Sequence, residues 1–217
     1  MSVIKSIAIL TCVILMLAVT ANAVPLEKRH QLSFRMGMWN QVTDARTETI
    51  GTSIITTVAS SGLAGGLTYG YFLSEGLALN LSLGSKLAKV ENDIATLGLS
   101  TETAYINEIL IGARMYIPGT FGSTVRPYAK LMVGPYIGKQ SETQFSWIVA
   151  NEARTETVFG GLGAVGADFI LGANVMTGIT LGYNYMPDFK ESIGGSYNYS
   201  GPEVTVEVSY LFGKIKE

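Results

Sequence analysis

Eight charged residues stand at positions where large apolar side chains alternate with small ones: Arg35, Lys86, Arg114 and Lys130 against Glu108, Asp168, Glu203 and Glu207. They balance four to four. The chemistry available to them is ion pairing away from water, since buried charges are tolerated when each meets an opposite one. Counted from the end where the connections are short, Arg35 is level with Glu207 across the first and last alternating segments, and Lys86 is at a similar height to Glu108. These are the expected pairs, forming internal salt-bridge layers. Other chemistry is weakly supplied. Gly161-Leu-Gly163-Ala-Val-Gly166 matches the dinucleotide fingerprint as a string, but that motif works only where it opens a helix, and a second strand pattern follows it. His30, the sole histidine, precedes the first alternating segment without a catalytic partner. Glu91 and Asp93 are two loop carboxylates, more consistent with solvation than with holding a cation. No metal site and no cofactor are expected, and no enzymatic activity.

The elements that position these charges read as β-strands. In the hairpin stretch Gly65–Lys89, Leu67, Tyr69 and Tyr71, then Leu77, Leu79, Leu81 and Leu83, alternate with Gly, Thr, Ala, Asn and Ser, the period of two that sends successive side chains to opposite faces. The same pattern predicts strands over Gln31–Gln41, Gly65–Leu73, Leu77–Lys89, Thr103–Ile117, Tyr128–Gly138, Thr157–Phe169, Val175–Tyr185 and Glu203–Phe212, with a bulge at Pro135 and a strand extension at Ile54–Val58. The polar connections from Val42, at Val90–Ser100, at Lys139–Glu156 and at Pro187–Pro202 are long; the three between them are short. Val158–Met186 carries one charge, Asp168, yet its glycines and its period of two argue against a transmembrane helix.

Composition says what the two faces meet. Apolar residues make up 47% and charged residues 15%, with mean hydropathy +0.31, against a charged share of about 25% in soluble domains. The weakly polar face is Gly, Ser, Thr, Ala and Asn rather than the dense Lys and Glu of a water-washed surface, which suits the cramped interior of an eight-stranded barrel. The architecture predicted is all-β, an eight-stranded antiparallel up-and-down transmembrane barrel, with lipid on the apolar face. An even strand count with loops long at one end and short at the other is the pattern of outer-membrane barrels. Tyr69, Tyr71, Tyr183, Tyr185, Tyr210 and Phe212 lie on the apolar face near strand ends, where rings suit the headgroup level. The formal charge of −2 and the lack of basic runs exclude a nucleic-acid partner.

Met1–Ala23 has a positive charge at Lys5, an apolar run from Ile7 to Val19 and a small-residue site at Ala21-Asn22-Ala23. This predicts a signal peptide over 1–23, cleaved after Ala23, and a barrel domain over 24–217; the apolar run is shorter than the ~20 residues of a membrane-spanning helix. Cys12, the only cysteine, falls in that leader, so the exported chain has no disulfide and no thiol nucleophile.

On these features the chain resembles the small bacterial outer-membrane β-barrel family, the group of the OmpA transmembrane domain and OmpX-like proteins. The resemblance spans nearly all of the residues after the leader. It rests on the architecture, on the Gly-Gly-Leu openings at Gly65 and Gly160, and on the final amphipathic strand Val204–Phe212 with Tyr210 and Phe212 two apart. It implies a place in the outer membrane of a diderm bacterium, with outer-membrane lipid, the barrel-insertion machinery and periplasmic chaperones as partners, and Tyr210 and Phe212 as the assembly signal. The family often ends on the aromatic itself, whereas here Gly213–Glu217 follow. Barrel enzymes of similar fold depend on a histidine at the outer side of the bilayer, and His30 would lie at the opposite end. The function expected is surface interaction, adhesion or envelope support through long outward loops, with Phe145, Trp147, Tyr197 and Tyr199 as contact candidates and the outside partner unnamed. The alternatives are a narrow porin-like passage for small solutes and a soluble ligand-binding barrel.

Overall fold

The computed structural model describes residues 25–42, 47–50, 53–56, 61–95, 98–120, 124–145 and 151–213. The leader over 1–23 lies outside them. Among the described residues ten strands form: β1 His30–Asn40, β2 Thr47–Ile50, β3 Ser53–Thr56, β4 Ser61–Ser74, β5 Leu77–Ala95, β6 Gly98–Tyr116, β7 Val125–Phe145, β8 Asn151–Ile170, β9 Val175–Tyr185 and β10 Gly201–Phe212. Eight of them close an antiparallel barrel in the order β1-β10-β9-β8-β7-β6-β5-β4, while β2 and β3 pair as a separate hairpin. Of the predicted extension at Ile54–Val58, Ile54–Thr56 fall in this β3, which begins at Ser53 and pairs with β2 rather than with a barrel strand, while Thr57 and Val58 lie outside the described residues.

Alternation has a physical outcome that is plainest in β10. Glu203, Thr205, Glu207, Ser209 and Leu211 are buried inside the barrel, while Val204, Val206, Val208, Tyr210 and Phe212 are exposed outside. The other barrel strands repeat the arrangement, with Leu32, Phe34, Met36 and Met38 outward on β1 and Leu79, Leu81 and Leu83 outward on β5. A barrel with leucines outside and arginines inside is inverted relative to a water-soluble one. Its outer band is stable only against an apolar solvent, as in barrels that stand in a bilayer.

The wall is uneven in height. β1, β4, β9 and β10 have 11, 14, 11 and 12 residues, whereas β5, β6, β7 and β8 have 19, 19, 21 and 20. At ~3.3 Å per residue the difference carries the second group roughly 25 Å farther along the strand direction. Two of the predicted loops are thereby corrected. Most of Val90–Ser100 and of Lys139–Glu156 is strand, paired in Val90↔Thr103 and Lys139↔Thr155 well past the barrel rim. The predicted bulge at Pro135 is also corrected. Pairing of β7 with β6 lapses between Glu108↔Tyr136 and Ile111↔Val133 and resumes in the same register, because proline removes a donor without adding a residue. The register shifts lie elsewhere, at Leu73 between Phe72 and Ser74 and at Ala88 between Leu87 and Lys89.

Candidate functional site: a charged interior closed at both ends

The lower part of the lumen, toward the short turns, is organised by one arginine. Arg114 projects inward from β6. Its Nη1 lies 2.8 Å from Asp168 Oδ2 and its Nη2 lies 2.7 Å from Glu207 Oε2, all three side chains being buried. The Tyr116 hydroxyl donates to the same Asp168 oxygen at 2.6 Å. The guanidinium carbon stands 4.4 Å from the ring centroid of Tyr128, a cation–π contact. Lys130 Nζ is 3.8 Å from Glu207 Oε1. Room for Asp168 is made by the residue opposite it, since a Cβ on Gly178 would collide with the carboxylate.

The upper part holds two cations against two acids. Arg35 pairs with Glu108 and stands 3.6 Å from Glu203 Oε1. Lys86 Nζ lies 3.3 Å from Glu108 Oε2 and 3.1 Å from Glu203 Oε2. Asn184 donates to Glu203 at 2.6 Å and accepts from the Tyr136 hydroxyl at 2.9 Å. Gly84 leaves the space that Arg35 and Glu108 fill. All eight charges predicted for the interior are brought together here, and Lys86 faces Glu108 as expected. The seam pair needs correcting: Arg35 and Glu207 are register partners, but Arg35 turns to Glu108 and Glu203 while Glu207 binds Arg114 and Lys130. Register fixes where the Cα atoms stand, and a side chain as long as arginine's then leans to the acid with the better geometry.

Above the upper layer the lumen is stopped by an apolar cluster that includes Trp39, Ile106, Met186, Phe189, Ile193 and Tyr199. The connection from β9 to β10 folds back to supply four of these, Met186, Phe189, Ile193 and Tyr199. It turns at Gly194 and Gly195, whose φ of 57° and 82° suit glycine, with Ile193 bridged to Ser196 across the turn. Tyr199 was expected as a surface contact and is instead 1% exposed, edge-on to Trp39 at 5.9 Å, its hydroxyl donating to the Ile193 carbonyl. Trp39 offers the flat wall that draws this ring inward. Tyr197 is 39% exposed. Phe145 ends β7 with its side chain outside the described residues, and Trp147 lies outside them entirely.

A second apolar cluster, with Leu26, Phe72, Tyr116, Ile170, Met176 and Leu211, closes the short-turn end. Its supports escaped the sequence reading. Leu26 and Glu27 donate backbone N–H groups to Glu75 Oε1 at 2.6 and 3.0 Å, and Arg126 Nη1 lies 2.7 Å from Glu75 Oε2. Arg29 donates to the Ala173 and Leu211 carbonyls at 2.6 and 3.0 Å. Partial burial pushes the Glu75 carboxyl up, but the Glu27 N–H, the Arg126 guanidinium and the Leu26 N–H outweigh it and hold the group below its ordinary value. Arg126 shares the inward face of β7 with Tyr128 and Lys130, and that parity was the signal by which it could have been found. Outside, His30 stacks on Phe212 at 5.2 Å and meets the Tyr69 hydroxyl at 2.6 Å through Nδ1, so the histidine belongs to the aromatic rim.

A closed barrel with lipid-facing aliphatics, aromatic rims and a packed charged lumen invites comparison with known proteins. Neisserial surface protein A is similar in fold, with a TM-score of 0.53 at 14% identity over 85% of this chain and 97% of that one. The outer membrane protein OprG from Pseudomonas aeruginosa gives 0.51 at 14% over 89% and 100%. Ail, the attachment invasion locus protein of Yersinia pestis, solved in complex with the heparin analogue sucrose octasulfate, gives 0.51 at 14% over 86% and 99%. No curated protein sequence matches the chain. The family described as "Outer membrane protein beta-barrel domain" matches residues 10–212, and the chain belongs to that family.

Proposed function

We propose that the protein is a non-enzymatic integral protein of the outer membrane of a Gram-negative bacterium, exported by its leader and acting at the cell surface through the long-loop end, in adhesion or envelope support. The observation that carries this reading is the filled lumen: two layers of paired charges lie between two apolar stoppers. What protrudes is therefore the part available to a partner. A narrow solute passage is the second reading, since the inside is polar, but the stoppers at both ends weigh against it. The exposed aliphatic band weighs against a soluble ligand-binding barrel. Tyr197 remains a contact candidate, and Tyr210 and Phe212 on the outer face of the last strand remain the proposed assembly signal. Two measurements test the proposal. Fractionation should place the protein in the outer membrane with heat-modifiable gel migration, and purified protein in planar bilayers should give no conductance steps. Regular steps would overturn it in favour of the passage.

A further inference from the structure

The tall wall creates two strand edges that the barrel does not close. β5 pairs with β4 only as far as Ala64↔Lys86, and β8 pairs with β9 only as far as Gly161↔Tyr185. Beyond those points, among the described residues, each strand is paired on one side alone. An open edge is a template for another strand unless it is guarded by charges or a bulge. The β5 edge is guarded, since a register shift falls at Ala88 and Lys89, Glu91 and Asp93 follow it. The β8 edge has no bulge, and of its charges Arg154 and Glu156 are of opposite sign two positions apart. From Asn151 to Phe159 it pairs with β7 without a register shift, and it contains no proline. Among the described residues, no backbone hydrogen bond joins Arg154–Phe159 to the connection that follows β9.

We infer that the β8 edge is a self-association surface, on which a second copy of this chain adds its own β8 antiparallel. The argument is complementarity. With Thr155 opposite Thr155 of the second copy, Arg154 falls opposite Glu156 on the same face, twice over, by the two-fold symmetry of the contact. Threonine pairs and opposite charges placed directly across are both favourable in antiparallel strands. This register also runs Asn151 against Phe159, the whole of the open edge. Arg154 is exposed, held by Glu191 at 3.0 Å and donating to the Ser192 carbonyl at 3.4 Å, contacts of the kind that exchange readily at a surface. Direction sets the setting. Copies in one membrane point the same way and cannot pair antiparallel by this edge, so the contact joins copies in two facing membranes. This deepens the adhesion reading by naming a second copy as the partner.

Proteoliposomes and single-cysteine variants in a Cys12→Ser background supply the test. Thr155→Cys should give an oxidised dimer, because it meets itself across the axis, whereas Thr157→Cys, which would face Ala153, should not. Vesicles carrying Arg154→Glu alone or Glu156→Arg alone should lose the clustering of the wild type, and a mixture of the two kinds should recover it, since each then meets its opposite charge. Heat-modifiable migration confirms that every variant is folded. Equal cross-linking at both cysteines, or a mixture that stays dispersed, overturns the inference. Labelling of Thr155→Cys on intact cells with a membrane-impermeant maleimide separates the two levels: labelling without cross-linking defeats the self-association alone, and no labelling defeats the outward orientation beneath it.

Discussion

The two charge layers of the lumen solve the same problem differently. In the lower one a single arginine spends both terminal nitrogens on two acids at 2.7 and 2.8 Å, with a tyrosine hydroxyl and a ring face completing its surroundings. In the upper one Arg35 and Lys86 share Glu108 and Glu203, and three of the four contacts lie at 3.1 to 3.6 Å. The lower layer is a hub, the upper a redundant square. A hub fails when its centre is removed, and a square keeps one cation for its acids when it loses the other.

The contrast is most severely tested at Arg114. Its replacement by alanine leaves Asp168 and Glu207 buried together with only the more distant Lys130 near them, and should cost about 3–5 kcal/mol, read as a fall in the urea midpoint of the folded, heat-modifiable form. Lys86→Met should cost less, roughly 1.5–3 kcal/mol, because Arg35 stays between the same two acids; an effect as large as that of Arg114→Ala would break the comparison. A double-mutant cycle sharpens the seam: Glu207 should couple to Arg114 by about 0.5–3 kcal/mol, and to Arg35, its register partner, by clearly less. The smallest effect belongs to Glu75. Its carboxyl titrates lower in the folded protein than its ordinary 4.5, so its contribution is fully present above that value and is lost as the pH falls through the depressed one. Protection of the Leu26 and Glu27 amides, measured as the exchange rate relative to the intrinsic rate at each pH, should fall over that acid window in the wild type, and should be low and flat with pH in Glu75→Gln.

The barrel was legible because membrane-spanning strands carry a signal that water does not blur: Val204, Val206, Val208 and Tyr210 must all face lipid, and Glu203, Thr205 and Glu207 must not. Above the rim that contrast ends. The upper ends of β5 to β8 stand clear of the band that faces lipid, so Ser141–Phe145 has no reason to alternate, and strand there looked like loop. The eight interior charges were legible for the same reason as the barrel, each being a charge on a small-residue face. Their partners were less so, because a period of two gives height and side but not the direction in which a long side chain leans. Tyr199 misled because a tyrosine in a polar connection looks the same whether it points outward or folds back onto Trp39. Arg29 and Glu75 were missed because turns and strand ends have no alternation to break, and Arg126, in parity with Tyr128 and Lys130, because it lies before Tyr128, where the expected strand begins.

The seat of the first described residues has a bearing on the order of assembly. Leu26 and Arg29 rest on groups drawn from distant parts of the chain: the Phe72 carbonyl receives Lys28, Glu75 receives Leu26 and Glu27, and the Ala173 and Leu211 carbonyls receive Arg29. Leu211 stands 182 positions away in sequence. That seat does not exist until β10 has met β1 and the cylinder is shut. The residues just ahead of β1 therefore settle only after β10 is in place, and their docking reports that the circle of strands is complete.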